Sequence, residues 1–122
     1  MKRDMDLVRD ILLAIEDNPE PFGHNDLKIE GRSNEEVAYH IKLLWQAELI
    51  EAYDVSSNSG FSWKAMSLTW KGHEFIEAAR NNSRWQDAKK YILEKGGSIT
   101  FDILKAVLSE SIKNAIFPKT EL

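Results

Sequence analysis

The sequence predicts a mainly helical α+β fold, and three observations carry that reading. A capped amphipathic stretch from Ser33 to Gln46 runs directly into an alternating strand pattern that extends through Ala52 to Val55. The turn-forming residues SSNSG then separate this strand from a second one, roughly Phe61 to Leu68, and a further helix pattern opens at Trp70. Helix, hairpin and helix in that order is the sequence form of a winged helix, with the hairpin as a two-stranded wing.

The first helix is expected from Met5 to Glu16 with Asp4 as its cap, because Leu7, Val8, Ile11, Leu12 and Ile15 share one stripe. Asn18 and Pro19 end it. The segment PEPFGHNDLKIEGR, with two prolines and two glycines, leaves room only for a short extra strand at Leu27 to Glu30, where an ordinary helix-turn-helix would hold another helix.

Ser33 caps the next helix and Glu36 completes a capping box. Val37, Ile41, Leu44, Trp45 and the aliphatic part of Glu48 form its core side, with Glu35, Tyr39, Lys42, Leu43 and Gln46 opposite. Thr69 caps a helix from Trp70 to Arg80 whose core-seeking residues include Trp70, Phe75, Ile76 and Ala79, and whose Gly72 permits a close approach. Ser83 with Gln86 reads as a second capping box, opening a helix that runs to Lys95 and ends at Gly96 and Gly97. The last helix, Phe101 to about Ala115, carries Ile103, Leu104, Val107, Leu108, Ile112 and Ala115 at helical spacing. The whole chain, 1–122, reads as a single winged-helix domain, core 1–80, with a helical extension over 81–117.

With 43% hydrophobic and 30% charged residues, the chain has the composition of a folded domain rather than a disordered one. It holds no cysteine, which removes disulfides, thiolate nucleophiles and cysteine zinc sites and fits the cytoplasm. The opening MKRDMDLVRDILLAIEDN is broken by Asp4, Asp6, Arg9 and Asp10 and is not read as a secretion signal; no stretch is long enough to span a membrane.

Charge is uneven. Lys and Arg stand three against seven acids over 1–26, six against eight over 27–80 and seven against five over 81–122. An acidic chain is repelled by phosphate unless its cations gather on one face.

Chemistry is sparse. His24, His40 and His73 lack metal-ligand spacing, and His40 reads as lying at the edge of a core helix; no metal or other cofactor is expected. No nucleophile elbow, phosphate loop or dinucleotide fingerprint occurs, and Glu35 with Glu36 is explained by the helix dipole, so the sequence reads as non-enzymatic.

Nucleic-acid binding is the function the fold invites. The contacts would be Asn34, Tyr39, Lys42, Leu43 and Gln46 on the helix, Asn58 and Ser59 at the wing tip, and Lys64 on the strand beyond. Asn34 and Gln46 suit adenine, and Lys42 suits phosphate or guanine. Against them stand Glu35 and Glu36 at the groove end of the helix and a wing without Lys or Arg between Tyr53 and Trp63, so duplex DNA would be held weakly. Tyr39 and Leu43, one turn apart, are either covered by the C-terminal helices or dock a partner protein. Of the tryptophans, Trp45, Trp63, Trp70 and Trp85, three fall at core-like positions; Arg84, Lys89, Lys90 and Lys95 are interleaved with Asp87 and Glu94 and read as a solvated face.

The string VAYHIKLLWQAELIEA resembles the recognition helix and first wing strand of arsenic-repressor-like proteins, and LTWKGHEFIEAAR resembles the segment after the wing in such regulators. MKRDMDLVRDILLAIE, VAYHIKLLWQAELIEA, LTWKGHEFIEAARN and KGGSITFDILKAVL, in that order, resemble the YjcQ-like family of small bacterial and phage proteins. That resemblance implies a winged-helix core with added C-terminal helices and a bacterial or prophage setting; it implies no activity or site residue. Two function classes follow: a regulator that binds DNA as a homodimer paired through the last helix, or an adaptor, for example a phage-encoded modulator of a host protein, that uses the same surface without DNA.

Overall fold

A computed structural model describes residues 1–21 and 27–118. Among them are five helices and one two-stranded antiparallel sheet, a mixed α+β arrangement compatible with a winged helix: α1 (Met5–Asp17), α2 (Asn34–Gln46), β1 (Ile50–Asp54), β2 (Trp63–Leu68), α3 (Trp70–Ala79), α4 (Asn82–Glu94) and α5 (Phe101–Ile116). The chain divides into two compact units, residues 1–76 and 77–122.

In the first unit, α1 starts where Asp4 accepts from the backbone N–H groups of Asp6 (2.9 Å) and Leu7 (3.3 Å), satisfying two donors the helix cannot pair itself. Its apolar stripe is buried as the spacing requires: Leu7, Val8, Ile11, Leu12 and Ile15, joined by Met5. Each such side chain contributes about 1.5–3 kcal/mol relative to exposure. Residues 27–30 form no strand. Instead the Arg32 N–H bonds to the Ile29 carbonyl at 3.1 Å in a tight turn, with Gly31 at φ +78°, a conformation costly for other residues.

Helix α2 begins as expected, with Ser33 Oγ accepting from the Glu36 N–H at 3.1 Å. The buried positions are Val37, Ala38, His40, Ile41 and Leu44. The stripe i, i+3, i+4, i+7 therefore runs through His40, which is fully buried rather than at the helix edge. Trp45, expected in the core, shares the angle of this stripe but sits in the last turn of the helix and is 45% exposed. The helix ends without glycine: Glu48 takes φ +62°, its N–H bonds to the Trp45 carbonyl, and the Leu49 N–H reaches back to Leu44, leaving the buried pair Leu44 and Leu49 in register.

The hairpin pairs Ile50 with Leu68 and Asp54 with Trp63, and a bulge near Glu51 and Ala52 shifts the phase so that Trp63, Ala65 and Leu68 are all buried. The second strand thus opens at Trp63 rather than Phe61. Across the junction to α3, Thr69 accepts from the Gly72 N–H and donates its hydroxyl to the Glu48 carbonyl at 2.7 Å. Gly72 is obligatory here: a Cβ would sit 2.0 Å from the Leu49 carbonyl oxygen. The buried positions of α3 are Gly72, Phe75, Ile76 and Ala79. Trp70 falls two residues before that stripe, on the opposite side, and is 82% exposed, not a core residue.

In the second unit Asn81, not Ser83, caps α4, accepting from the Arg84 N–H at 2.9 Å, and Trp85, Ala88 and Ile92 are buried on one side. Thr100 caps α5, whose buried residues are Leu104 and Leu108; Val107 and Ile112 are half-buried, while Ile103 and Ala115, expected on the buried stripe, are exposed.

Candidate functional site

The helix that carries most of the candidate contacts is fixed by a polar cluster at its first turns. The Arg32 guanidinium stands 2.8 Å from the Asp4 carboxylate and 3.2 Å from that of Glu36, tying the cap of α1 to the start of α2. Partial burial raises the Asp4 carboxyl, but the Arg32 hydrogen bond and charge and the N–H groups of Leu7 and Asp6 together outweigh it, leaving the group below its ordinary value. Behind the ion pair, the Asp4 N–H donates to His40 Nε2 at 2.9 Å, so the ring hydrogen lies on Nδ1 and is donated to the Glu36 carbonyl at 2.8 Å. His40 is thereby a structural cross-link between two helices, not an open ligand.

On this frame the eight candidate residues separate into groups. Asn34 and Gln46 are exposed at opposite ends of α2, and Asn58 and Ser59 are exposed in the turn closed by the Ser57–Gly60 bridge. Tyr39 and Leu43 are half-buried, with the Tyr39 ring edge-on to His40 at 5.9 Å. Lys42 is half-buried and its charge is felt at Asp54 on β1. That carboxyl is lowered chiefly by hydrogen bonds from Ser56, the charge of Lys42 adding a smaller part. Lys42 therefore has an acidic neighbour on the hairpin, which would weaken its attraction for an anion.

The structure brings two of the eight together with residues that were not singled out in sequence. Asn34 and Lys64, with Lys28, border a cleft of about 300 Å³ between α2 and β2. Its apolar lining includes the buried Val37, Ala38, Ile41 and Trp63. Trp45 lies against Trp63, ring centroids 5.2 Å apart at 44°. The Trp63 Nε1–H is buried and has no hydrogen-bond acceptor among the described residues. In sequence Lys28 carries no signal because it sits in an irregular segment, and Trp63, a tryptophan on a β-strand, reads as packing.

A second, larger hollow of about 690 Å³ belongs to the other unit, between α4 and α5, where Arg84, Asp87 and Glu110 surround Tyr91 and Val107. Among the described residues no group of three His, Cys, Asp or Glu side chains could hold a metal ion, and no helix is long and apolar enough to cross a membrane. His24 lies outside the described residues.

Comparison with known proteins adds kinship. A Haemophilus influenzae protein described as "Uncharacterized protein" is 39% identical over 117 residues, covering 95% of this chain and 99% of its own length. No solved structure matches. The family model described as "Hypothetical protein (DUF2513)" matches residues 2–98, a span that contains α1, the Asp4–Arg32–His40 cluster, the hairpin and every residue of the α2–β2 cleft. The chain belongs to the DUF2513 family.

Proposed function

We propose that the chain is a non-enzymatic winged-helix protein of regulator type, bacterial or prophage-borne, which uses α2 and the β1–β2 hairpin to bind duplex DNA weakly. The observation that supports this most is that one compact unit carries Asn34 and Gln46 exposed on a helix, and Asn58 and Ser59 exposed at the tip of the adjoining hairpin. In this reading α2 enters the major groove, where the two amides suit adenine, and the wing tip meets the backbone or minor groove. Kinship in architecture with the YjcQ-like family is part of the proposal, supported by the helix, hairpin, helix order.

Affinity is limited by cation supply. Lys42 is offset by Asp54, and Glu35 is exposed in the first turn of α2. With two or three phosphates neutralised, log K should fall with log salt at a slope of roughly −2 to −3. Fluorescence polarisation on duplexes from the protein's own locus, across a salt series, tests this. The Lys64→Gln variant should flatten the slope by about one; absence of binding at the lowest salt contradicts the proposal.

A second reading, an adaptor for a protein partner, is favoured by one observation: two tryptophans of the same unit, Trp45 and Trp70, are exposed at 45% and 82%. Under it, duplex DNA is not bound even at the lowest salt, and Trp70→Ala abolishes partner capture.

A further inference from the structure

We infer that the cleft between α2 and β2 binds a small organic carboxylate, an acid carrying one aromatic ring or a branched aliphatic chain. The inference goes beyond DNA binding, and its failure leaves that reading standing.

Size comes first. A cleft of about 300 Å³ lies at the lower end of small-molecule sites, too small for a nucleotide and adequate for a single ring or short branched chain. Composition comes next. The buried Val37, Ile41 and Trp63 offer apolar surface, Trp63 being further packed by Trp45. Such surface takes the body of the ligand rather than an inorganic ion.

Charge then selects the polar end. Lys28 and Lys64 both line the cleft, Asn34 adds an amide, and no lining residue among those described bears a carboxylate, although the chain as a whole has a net charge of −4. A local excess of cation in an acidic protein favours an anion at that place. Finally, the Nε1–H of Trp63, a residue lining the cleft, is buried with no acceptor among the described residues. A donor in that state costs about 1–3 kcal/mol, and a shift of the Trp63 ring on ligand entry would let a carboxylate oxygen take the bond.

The test is heteronuclear NMR of the full chain titrated with phenylacetate, indoleacetate and isovalerate, each beside its neutral amide. The Trp63 indole resonance, assigned from the Trp63→Phe spectrum, should move with at least one acid, together with the backbone signals of Lys28, Asn34 and Lys64. The matching amide should bind about tenfold more weakly, the difference that a charge-assisted contact supplies. Lys28→Gln and Lys64→Gln should each weaken the acid and leave the amide unchanged. Trp63→Phe should weaken the acid, since it removes the donor.

The inference is overturned if none of the acids moves the Trp63 indole, if acid and amide bind equally, or if the double lysine variant binds like the parent. The lysine variants keep the test decisive should Trp63→Phe fail to fold. A short peptide ending in phenylalanine is the remaining arm: binding tighter than phenylacetate with the same shifts assigns the cleft to a chain terminus and overturns the small-molecule form.

Discussion

The backbone N–H of Asp4 donates to the fully buried Nε2 of His40 across 2.9 Å, joining residues 36 positions apart. Replacing His40 by leucine keeps the volume near that of the ring but removes the acceptor for Asp4 and the donor for the Glu36 carbonyl. The Asp4 N–H then loses its acceptor, while the Glu36 carbonyl keeps its helical bond from the residue 40 N–H, and the variant should be destabilised by about 1–3 kcal/mol in urea unfolding, with α1 more exposed to hydrogen exchange. A change under half a kilocalorie would show that the cross-link is incidental.

The ion pair in front of that bond carries a pH dependence of definite sign. Asp4 titrates below its ordinary value in the folded chain, so its contribution is complete above the unfolded value, near 3.8, and is lost as pH falls through the folded one. Unfolding midpoints measured from pH 6 down to pH 2 should therefore drop less steeply for Asp4→Asn than for the parent, the two curves converging in acid. Arg32→Met should flatten the curve in the same way.

Gly72 allows the α3 start to lie on the Leu49 carbonyl, where the contact is with backbone and cannot yield as a flexible side chain would. Gly72→Ala should destabilise the fold by roughly 3 kcal/mol, the upper range for overpacking, as read from thermal and urea unfolding.

At the preceding helix end the sign reverses. Glu48 holds φ +62°, a conformation that costs a side-chain-bearing residue about 1 kcal/mol or more, and its side chain is exposed. Glu48→Gly should raise stability by about 0.5–1 kcal/mol, because relief of strain exceeds the added freedom of the unfolded chain. A loss of stability would mean that the Glu48 carboxylate makes a contact of its own.

Much of this fold was legible because it follows local rules. Asp4, Ser33, Thr69 and Thr100 all cap helices, the first three as expected from residue type alone, and the α1 stripe is buried as its spacing demands. The misreadings share a cause. His40 completes the buried stripe of α2, yet its polarity kept it out of the core until a partner 36 residues away appeared. Trp70 is core-seeking by residue type but falls off the buried stripe of α3, whereas Trp45 shares the angle of the α2 stripe and is left 45% exposed in the helix's last turn. Asn81 was passed over because Ser83 and Gln86 form a capping-box string two residues later, while the chain turns into the helix before reaching them. Segment 27–30 has strand-like alternation but no neighbour to pair with among the described residues. The cleft was invisible in sequence because Lys28, Asn34 and Lys64 meet only through tertiary packing.

The central claim is that α2 and the hairpin are the DNA-binding surface, and heteronuclear NMR of the whole chain titrated with a duplex from its own locus at low salt tests it most directly. The account predicts fast-exchange shifts confined to Asn34, Lys42, Gln46, Asn58, Ser59 and Lys64, fading as salt is raised. An unchanged spectrum at the lowest salt, or shifts confined to α4 and α5, would contradict it.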